Sequence, residues 1–450
     1  MGKYFGTDGI RGVANKELTP MLAFNIAKAS AYVLKNDLNK DITVVIGKDT
    51  RLSCDMLEAA MVAGFTSVGV NVKLLGIIPT PAVAYLTRKY EADIGVVISA
   101  SHNSFEFNGI KIFSSQGTKL SEEIEKKIED EIDFECKMIE PVINEKIGRC
   151  ETILNAKQDY IDFALSTILL KNTNLKIGLD CANGSTSVCA KEIFEKIGFD
   201  VTVINNTPNG ININDKCGST HTESLQALVK EKRLDIGFAF DGDGDRLLAV
   251  NSNGELVDGD QIMAICAKHL KDNNKLVNNT LVVTIMSNLG VSIFAKENDI
   301  NVVQTKVGDK YVLEEMLKSD YSFGGEQSGH IIFKEYNTTG DGIITALQLT
   351  SIILNSGKTI EELSQIVKIY PQVTVNAKVL NDKKHEYIED IEIMEKIKQL
   401  EEEFKTEGRV VIRPSGTEPL IRVMIEGNDI EYIQKRANEI ANLIEEKYSK

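Results

Sequence analysis

Three carboxylates at alternate positions form the clearest chemical motif in this sequence. The motif DGDGDR, Asp241 to Arg246, follows the apolar run Phe238–Phe240, which we expect to end a buried strand. Asp241, Asp243 and Asp245 can point into one site, because the intervening glycines let the backbone curl around an ion. Hard oxygen ligands suit Mg²⁺ or Ca²⁺. We predict a single Mg²⁺ ion here, since three carboxylates leave coordination positions for a phosphate oxygen.

Two other structures could contain the same motif. An EF-hand calcium loop also has carboxylates at alternate positions, but it needs Gly where Arg246 stands and a closing Glu where Ser252 stands. A strand also precedes the motif, where the EF-hand has a helix. An Asp/Gly surface turn without a metal is the remaining alternative.

A second polar motif, SASHN, follows the apolar run Ile94–Ile98. A strand that ends in such a loop presents hydroxyl groups at the edge of a sheet, where α/β proteins bind ligands. Ser101 could be a hydrolase nucleophile with His102 as its base, but there is no GxSxG elbow, and adjacent strand residues point apart. It could also carry a phosphoryl group, or be part of a polar strand end that caps a helix. We favour the phosphoryl carrier, with His102 as a positioning residue.

Both motifs belong to a unit of strand, turn, helix, strand, turn, helix, strand that occurs three times. The last strand of each copy leads into a polar motif, in turn SASHN, DGDGD and GGEQSGH. Alternating strands and helices predict mixed or parallel sheets with helices on both faces. Beyond about residue 370 the pattern changes to that of a smaller α+β domain. We therefore predict three similar α/β domains, 1–153, 154–255 and 256–370, and a C-terminal α+β domain, 371–450, around a central cleft.

The charge of the chain restricts its partners. The formal net charge is −15, whereas nucleic acid and anionic membranes select a basic face, so we expect neither as a partner. A small anionic ligand is compatible with this charge if a few cations are concentrated in one site. The motifs supply such cations at Arg11, Lys111, Lys310, Arg413 and Arg422.

The composition is typical of a soluble globular protein, with 42% hydrophobic and 26% charged residues. No apolar run approaches the ~18 residues of a membrane span. The start, MGKYFGTDGIRG, lacks the apolar core of a signal peptide. The seven Cys are scattered and none are in CxxC spacing, as expected for reduced thiols. We therefore expect a cytoplasmic protein.

Two further motifs could bind parts of a phosphorylated sugar. RPSGTEPLIR, Arg413 to Arg422, offers hydroxyls, closely spaced backbone N–H groups and two guanidinium forks, which together suit a phosphate. GGEQSGH, Gly324 to His330, offers a carboxylate, an amide and a hydroxyl between glycines, which suits the hydroxyls of a sugar. An ordinary hairpin and a polar turn are the respective alternatives.

Taken together, FGTDGIRG, SASHN with NGIK, DGDGDR, GEQSGH and RPSGTEPLIRV occur in one order across nearly the whole chain. This set resembles the phosphohexomutases. The start MGKYFGTDGIRG, EQSGH and GRVVIRPSGTEPLIRVMIE are most similar to bacterial members that act on glucosamine phosphates. The resemblance implies an isomerase that interconverts glucosamine 6-phosphate and glucosamine 1-phosphate through a sugar bisphosphate. That product would feed UDP-N-acetylglucosamine and cell-wall precursor synthesis. The resemblance also suggests a homodimer.

The resemblance implies a role for each motif residue. Ser101 would carry the covalent phosphate and, through it, join Asp241, Asp243 and Asp245 around one Mg²⁺ ion. Arg11, His102 and Lys111 would lie near the transferring group, with Lys111 as a proton shuttle. The implied substrate-binding residues are Glu326, Ser328 and His330 for the sugar, Lys310 for a part of the substrate that is not specified, and Arg413, Ser415, Gly416, Thr417 and Arg422 for the phosphate that does not react.

The sequence departs from the family pattern at three positions. Ser104 stands where Pro is common, Phe107 where Asp is common, and Lys310 where Arg is usual. The first two bring into question how the loop after Ser101 is kept rigid. Lys310 keeps the positive charge but loses the bidentate fork.

Three other functions share part of this pattern. A mutase for glucose or mannose phosphates would need the same motifs. A Mg²⁺-dependent sugar phosphatase would pass the phosphoryl group to water, and a sugar-phosphate-binding protein would transfer nothing. Assays for isomer, free phosphate and phosphorylated Ser101 distinguish these functions.

Overall fold

The computed structural model describes residues 2–38, 42–169, 174–415 and 418–449. Its contacts divide the chain into two compact units. Unit 1 consists of Met1–Thr284 and Ile300–Ile366, and unit 2 of Ile285–Asp299 and Val367–Lys450. In the described part of the chain, none of the helices has the length and apolar character needed to span a membrane.

The first sheet of unit 1 has seven strands. They are β1 (Phe5–Gly6), β2 (Gly9–Val13), β3 (Thr43–Lys48), β4 (Asn71–Ile77), β5 (Ile94–Ile98), β6 (Phe107–Ser114) and β7 (Cys150–Thr152). Their order in the sheet is β1-β2-β6-β5-β3-β4-β7. The four strands β5, β3, β4 and β7 lie side by side and are parallel to one another. Strand β6 is antiparallel to β5 and β2, so the sheet is mixed.

Two further sheets of unit 1 follow along the chain. The second contains β8 (Lys176–Asp180), β9 (Asp200–Ile204), β10 (Ile236–Phe240), β11 (Leu247–Asn251) and β12 (Leu256–Val257). The third contains β13 (Thr280–Thr284), β14 (Asn301–Thr305), β15 (Phe323–Gly325) and β16 (Ile331–Phe333). Their orders are β12-β11-β10-β8-β9 and β14-β13-β15-β16.

The same four-strand arrangement occurs in all three sheets. In each, three neighbouring strands are parallel, and the fourth is antiparallel to the third. The three series are β4-β3-β5-β6, β9-β8-β10-β11 and β14-β13-β15-β16. The strands that precede the polar motifs, β5, β10 and β15, have the same position in each sheet. The predicted repeat is therefore present, and each motif starts at the end of an equivalent, fully buried strand.

The helices cover the apolar faces of these strands. In the first sheet, α1 and α2 pack against each other, and Ile26, Leu57 and Phe65 from them are fully buried. Unit 1 contains α1 (Pro20–Leu38), α2 (Cys54–Ser67), α3 (Thr80–Lys89), α4 (Glu122–Asp133), α5 (Ala156–Ser166), α6 (Ala190–Ile197), α7 (Glu223–Lys232), α8 (Gly259–Asp272), then α10 (Asp309–Lys318), α11 (Gly342–Ser356) and α12 (Ile360–Ser364). Pro20 begins α1, where its missing N–H leaves no intrahelical bond unmade.

Unit 2 contains a smaller α+β fold. Its antiparallel sheet has the order β17-β19-β18, formed by β17 (Gln372–Lys378), β18 (Gly408–Pro414) and β19 (Leu420–Gly427). Its helices are α9 (Leu289–Glu297), α13 (Ile391–Phe404) and α14 (Ile430–Tyr448). The predicted fold class, three α/β domains with mixed sheets and a smaller C-terminal α+β domain, is confirmed.

Candidate active site and metal centre

The loops that follow β5 and β10 meet at their polar motifs. Ser101 Oγ donates a hydrogen bond of 2.6 Å to Asp241 Oδ2, and both residues are buried at 1% exposure. Ser101 has a φ of 52°, in the left-handed region that non-glycine residues rarely adopt. Two motifs that are 140 residues apart in sequence therefore form one site.

A glycine allows this close approach. A Cβ atom at Gly242 would lie 2.6 Å from the carbonyl oxygen of Ser101 and 2.7 Å from Nδ2 of Asn214. Any larger residue at this position would push the two loops apart. The glycine between the first two carboxylates is thus required by packing as well as by the curl of the loop.

The three Asp residues fit a metal ion. One carboxylate oxygen of each of Asp241, Asp243 and Asp245 lies within 4.8 Å of the others, and all three side chains are buried. Among the described residues, Oδ1 of Asp243 and Oδ1 of Asp245 accept no hydrogen bond. Buried carboxylate oxygens without donors are costly unless a cation compensates them. The arrangement can therefore bind a divalent cation with hard oxygen ligands.

The electrostatics of Asp241 also favour a cation. Burial raises the pKa of Asp241 well above its ordinary value, and repulsion from Asp245 and Asp243 raises it further. A bound cation would remove this repulsion and keep the carboxylate ionised.

Lys111 lies beside the carboxylates. Its Nζ is 2.8 Å from Asp243 Oδ2, 2.9 Å from Asp8 Oδ2 and 3.4 Å from Asp245 Oδ2, and its side chain is 1% exposed. Lys111 is on β6, directly opposite Val97 of β5, and this pairing brings it to the site. Burial lowers the pKa of Lys111, but the attraction of the carboxylates outweighs burial and raises it well above its ordinary value. Lys111 is therefore a buried ammonium group.

An alternating series of charges extends from Lys111 to the third sheet's domain. Asp8 pairs with Arg11, and its Oδ1 is 2.7 Å from Lys119 Nζ, which in turn lies 2.6 Å from Asp309 Oδ2. Asp8, Lys119 and Asp309 are not among the site residues predicted from the sequence. Asp8 lies in the motif FGTDGIRG, three residues before Arg11. Its closeness to that predicted functional Arg was the signal that could have identified it.

Thr80 and Arg246 were also missed. Thr80 Oγ1 donates to Asp243 Oδ2 at 2.6 Å, and the Thr80 N–H donates to the carbonyl oxygen of Asp243 at 2.8 Å. The N–H of Arg246 donates to Asp241 Oδ1 at 3.2 Å. These bonds fix the orientation of the carboxylate loop. Thr80 holds it from the start of α3, and Arg246 holds it from the end of the loop itself.

His102 lies next to Ser101 without being charged. Its Nδ1 is 3.4 Å from Ser101 Oγ. Burial, with the nearby charges of Arg246 and Arg11, lowers the pKa of His102 to about 4. The ring is therefore neutral at pH 7, and its positioning role stays a prediction.

The turn after β15 brings His330 to the carboxylate loop. His330 Nδ1 is 3.7 Å from Asp245 Oδ2, and its Nε2 is 3.6 Å from Asp309 Oδ2. Burial lowers the pKa of His330, but Asp245 and Asp309 outweigh burial and raise it to about 9. The Gly340 N–H donates to Nε2 at 2.9 Å, however, which requires that nitrogen to be unprotonated. A cation on Asp245 would weaken the pull of that carboxylate and favour the neutral ring.

The other sugar-binding candidates differ in their surroundings. Glu326 Oε1 accepts a hydrogen bond of 3.1 Å from the Gly308 N–H, and Ser328 is exposed on the same turn. Lys310 Nζ lies 2.9 Å from Glu125 Oε2, and the Lys310 side chain is 8% exposed. The charge of Lys310 is thus paired with α4, and its role toward a substrate stays a prediction.

The phosphate-binding candidates lie in unit 2. Arg413 of β18 is directly opposite Arg422 of β19, and Arg422 pairs with Glu418 at 3.2 Å. Burial lowers the pKa of Arg413, and the charge of Arg422 lowers it further. The Ser415 hydroxyl accepts a hydrogen bond of 3.2 Å from the Glu418 N–H. The predicted residues Gly416 and Thr417 lie outside the described residues.

Comparison with known proteins identifies the family. Models of the phosphoglucomutase/phosphomannomutase family match in order: alpha/beta/alpha domain I at residues 2–137, domain II at 158–254, domain III at 258–370 and the C-terminal domain at 375–443. The chain belongs to this family and is a mutase, which is an isomerase. A relative from Acetivibrio thermocellus, named phosphoglucosamine mutase, is 56% identical over 447 residues, covering 99% of this chain and all of the relative.

Solved structures share the fold. A phosphoglucomutase/phosphomannomutase family protein from Burkholderia thailandensis has a TM-score of 0.78 at 21% identity and covers 97% of both chains. The N-acetylphosphoglucosamine mutase of Aspergillus fumigatus, solved with GlcNAc-6P and magnesium, has a TM-score of 0.63 at 19% identity, covering 94% of this chain and 99% of the other. The predicted membership of the phosphohexomutases is confirmed. The predicted domain bounds and residue roles stay predictions.

Proposed function

We propose that this chain interconverts glucosamine 6-phosphate and glucosamine 1-phosphate. In the proposed reaction, phosphorylated Ser101 gives its phosphoryl group to the free position of the sugar phosphate. The resulting sugar bisphosphate then returns its other phosphoryl group to Ser101. The hydrogen bond of 2.6 Å between Ser101 Oγ and Asp241, within a buried triad of carboxylates, is the observation that supports this proposal best.

The residues around Ser101 suit phosphoryl transfer, which depends mainly on positioning and on neutralising charge. Asp241, Asp243 and Asp245 would hold one Mg²⁺ ion, which supplies positive charge at the transferring group. Lys111 lies beside these carboxylates, and Arg11 pairs with Asp8, which also contacts Lys111. Neutral His102 lies 3.4 Å from Ser101 Oγ and would orient that oxygen.

The proton on the attacking sugar hydroxyl needs an acceptor. We assign this role to Lys111, whose Nζ lies within 3.4 Å of oxygens of three carboxylates. Because its raised pKa keeps Lys111 protonated, Nζ would pass one of its protons to Asp8 or Asp243 as it takes up the proton of the sugar hydroxyl. Glu326, Ser328 and His330, with Lys310, are the proposed contacts of the sugar.

The opposed pair Arg413 and Arg422 supports the assignment of the phosphate site. Like charges placed directly opposite on antiparallel strands destabilise a sheet, and Glu418, 3.2 Å from Arg422, offsets part of this repulsion. A phosphate accepts hydrogen bonds from both guanidinium forks. We propose that these two residues, with Ser415, Gly416 and Thr417, bind the phosphate that does not react.

Glucose and mannose phosphates are the alternative substrates, because the phosphohexomutase fold also includes phosphoglucomutases and phosphomannomutases. The overall identity of 56% to a phosphoglucosamine mutase favours the glucosamine phosphates. A sugar phosphatase would not need a second phosphate site such as the one proposed at Arg413 and Arg422.

The test is a mutase assay with glucosamine, glucose and mannose phosphates, in Mg²⁺ and with a sugar bisphosphate as primer. We expect the highest kcat/KM with glucosamine phosphates and one phosphate on Ser101 in the intact-mass spectrum. Ser101→Ala should abolish both, whereas Ser115→Ala, a matched change beyond the end of β6, should preserve both. Normal turnover by Ser101→Ala would refute the proposal, and release of free phosphate without isomer would indicate a phosphatase.

A further inference from the structure

Arg51 is bonded to the main chain of the loop that carries Ser101. Its Nη2 donates to the carbonyl oxygens of Ser101 at 2.9 Å and Asn103 at 2.8 Å. Its Nη1 donates to those of Phe107 at 3.0 Å and of Ser104. One guanidinium group therefore binds four main-chain oxygens of a single loop. Only the arginine fork offers enough donors in a fixed plane for this arrangement.

A buried carboxylate fixes Arg51 in turn. Arg51 Nε donates to Asp49 Oδ2 at 2.8 Å, and both side chains are fully buried. The same oxygen accepts a hydrogen bond of 2.5 Å from Ser99 Oγ, which accepts one of 3.0 Å from the Ser101 N–H. Asp49 directly follows β3, the neighbour of β5. The loop is thus tied to the rigid centre of the first sheet.

Asn214, which belongs to the domain of the second sheet, binds two of the oxygens that Arg51 also binds. Its Nδ2 donates to the carbonyl oxygen of Ser101 at 2.8 Å and to that of Asn103 at 2.9 Å. Asn214 is 8% exposed, and its Nδ2 lies against Gly242, next to Asp241. The amide group of Asn214 is therefore bonded to the loop with Ser101 and lies against the carboxylate loop.

These contacts hold Ser101 in a conformation that it would not favour by itself. A φ of 52° costs a non-glycine residue about 1 kcal/mol or more, so it persists only where the surroundings determine it. The acceptors at positions 104 and 107 are carbonyl oxygens, which every residue type has. Ser104 and Phe107 can therefore replace the residues common in the family without loss of these bonds.

We propose that Arg51 and Asn214 are positioning residues that keep Ser101 Oγ on the carboxylate loop and thereby direct the phosphoryl group to the sugar rather than to water. This inference rests on the proposed function. In both reactions the bond between phosphorus and Ser101 Oγ breaks. In transfer, a sugar hydroxyl forms the new bond to phosphorus and loses its proton, and Ser101 Oγ takes up a proton as it leaves. In hydrolysis, water takes the place of the sugar hydroxyl, and inorganic phosphate is released. A loop that drifts from the site favours the smaller nucleophile.

Asn214→Asp is the sharpest test, because it replaces the donor group with an oxygen that repels both carbonyls at constant size. Asn209→Asp is the matched control: Asn209 is exposed, and its Oδ1 accepts from the Ile211 N–H, as a carboxylate also would. We expect kcat to fall on the order of 100-fold in Asn214→Asp, since displacement by about 1 Å has such effects. KM should change little, and free phosphate per isomer formed should rise. Asn214→Ala, without added charge, should shift the same quantities in the same direction.

Melting temperatures and hydrogen exchange of residues 99–108 complete the test. We expect faster exchange in that loop for Asn214→Asp than for Asn209→Asp; if Asn214→Asp does not fold, Asn214→Ala and Arg51→Lys replace it. A folded Asn214 variant with the kcat and phosphate release of the unmodified protein overturns the proposal, even if its loop exchanges faster. An unmodified protein without mutase activity would instead refute the proposed function, and the exchange rates would then decide whether Asn214 holds the loop.

Discussion

Replacement of Lys111 by Met should destabilise the protein strongly and in a cation-dependent way. Nζ of Lys111 lies within 3.4 Å of oxygens from Asp8, Asp243 and Asp245, and the side chain is 1% exposed. Met has a similar length but no charge, so three carboxylates would lose their common partner. Removal of one member of a buried ion pair costs about 3–5 kcal/mol. We expect that loss in the free energy of unfolding at pH 7 without divalent cations.

Urea unfolding followed by circular dichroism measures this effect, since the chain has no Trp for fluorescence. With a slope of about 2 kcal/mol/M, the loss corresponds to a fall of about 1.5–2.5 M in the midpoint of the least stable transition. Saturating Mg²⁺ should reduce this difference, because a cation on Asp243 and Asp245 would replace part of the lost charge. Lys126→Met, an exposed position on α4, is the control and should change the midpoint by less than about 0.3 M.

The pH dependence of Lys111→Met follows from Asp8. Burial raises the pKa of Asp8, but Lys111, Lys119 and Arg11 outweigh burial and lower it well below its ordinary value. A carboxyl group with a lowered pKa stabilises the folded state above its unfolded pKa of about 4, and this contribution is lost as the pH falls. The difference between Lys111→Met and the unmodified protein should therefore be largest near pH 7 and shrink below about pH 4. A midpoint shift under about 0.5 M at pH 7, or a difference that grows in acid, would refute this reasoning.

Two further predictions concern the proposed metal and phosphate sites. Asp241→Asn should lower kcat on the order of 10²- to 10³-fold and raise the Mg²⁺ concentration needed for half-maximal activity, because it removes one proposed ligand and its charge; an unchanged Mg²⁺ titration would contradict the metal assignment. Arg413→Ala should raise KM by between about 10- and 100-fold with little change in kcat, since charge-assisted hydrogen bonds contribute roughly 1.5–3 kcal/mol. Arg436→Ala on α14 is its control, and equal KM values for the two variants would exclude Arg413 from phosphate binding.

Local patterns in the sequence were sufficient to predict the repeat and its strands. The apolar run Ile94–Ile98 is β5 with the predicted bounds. Such elements follow from hydrophobic periodicity and from Pro, Gly and capping residues, which act over a few positions. The DGDGDR motif was informative for the same reason, because its three carboxylates are close together along the chain itself.

The partners of individual side chains could not be predicted in this way. Lys310 appeared in the sequence as a cation for substrate, but it pairs with Glu125 of α4, 185 residues away. Asp8 and Arg51 could not be identified from the sequence, because a single Asp or Arg in a polar turn has many possible roles. Their importance depends on which strands lie side by side in a folded sheet.

The sequence by itself determined the family, the fold class, the carboxylate triad and the serine at the end of β5, since each depends on residue type and short-range spacing. Only the tertiary structure decided that Ser101 Oγ lies 2.6 Å from Asp241, that Lys111 joins three carboxylates, and that Arg51 and Asn214 bind the same loop oxygens. These contacts bring together segments that are 50 to 140 residues apart, and their geometry comes from the packing of sheets and domains rather than from local propensity.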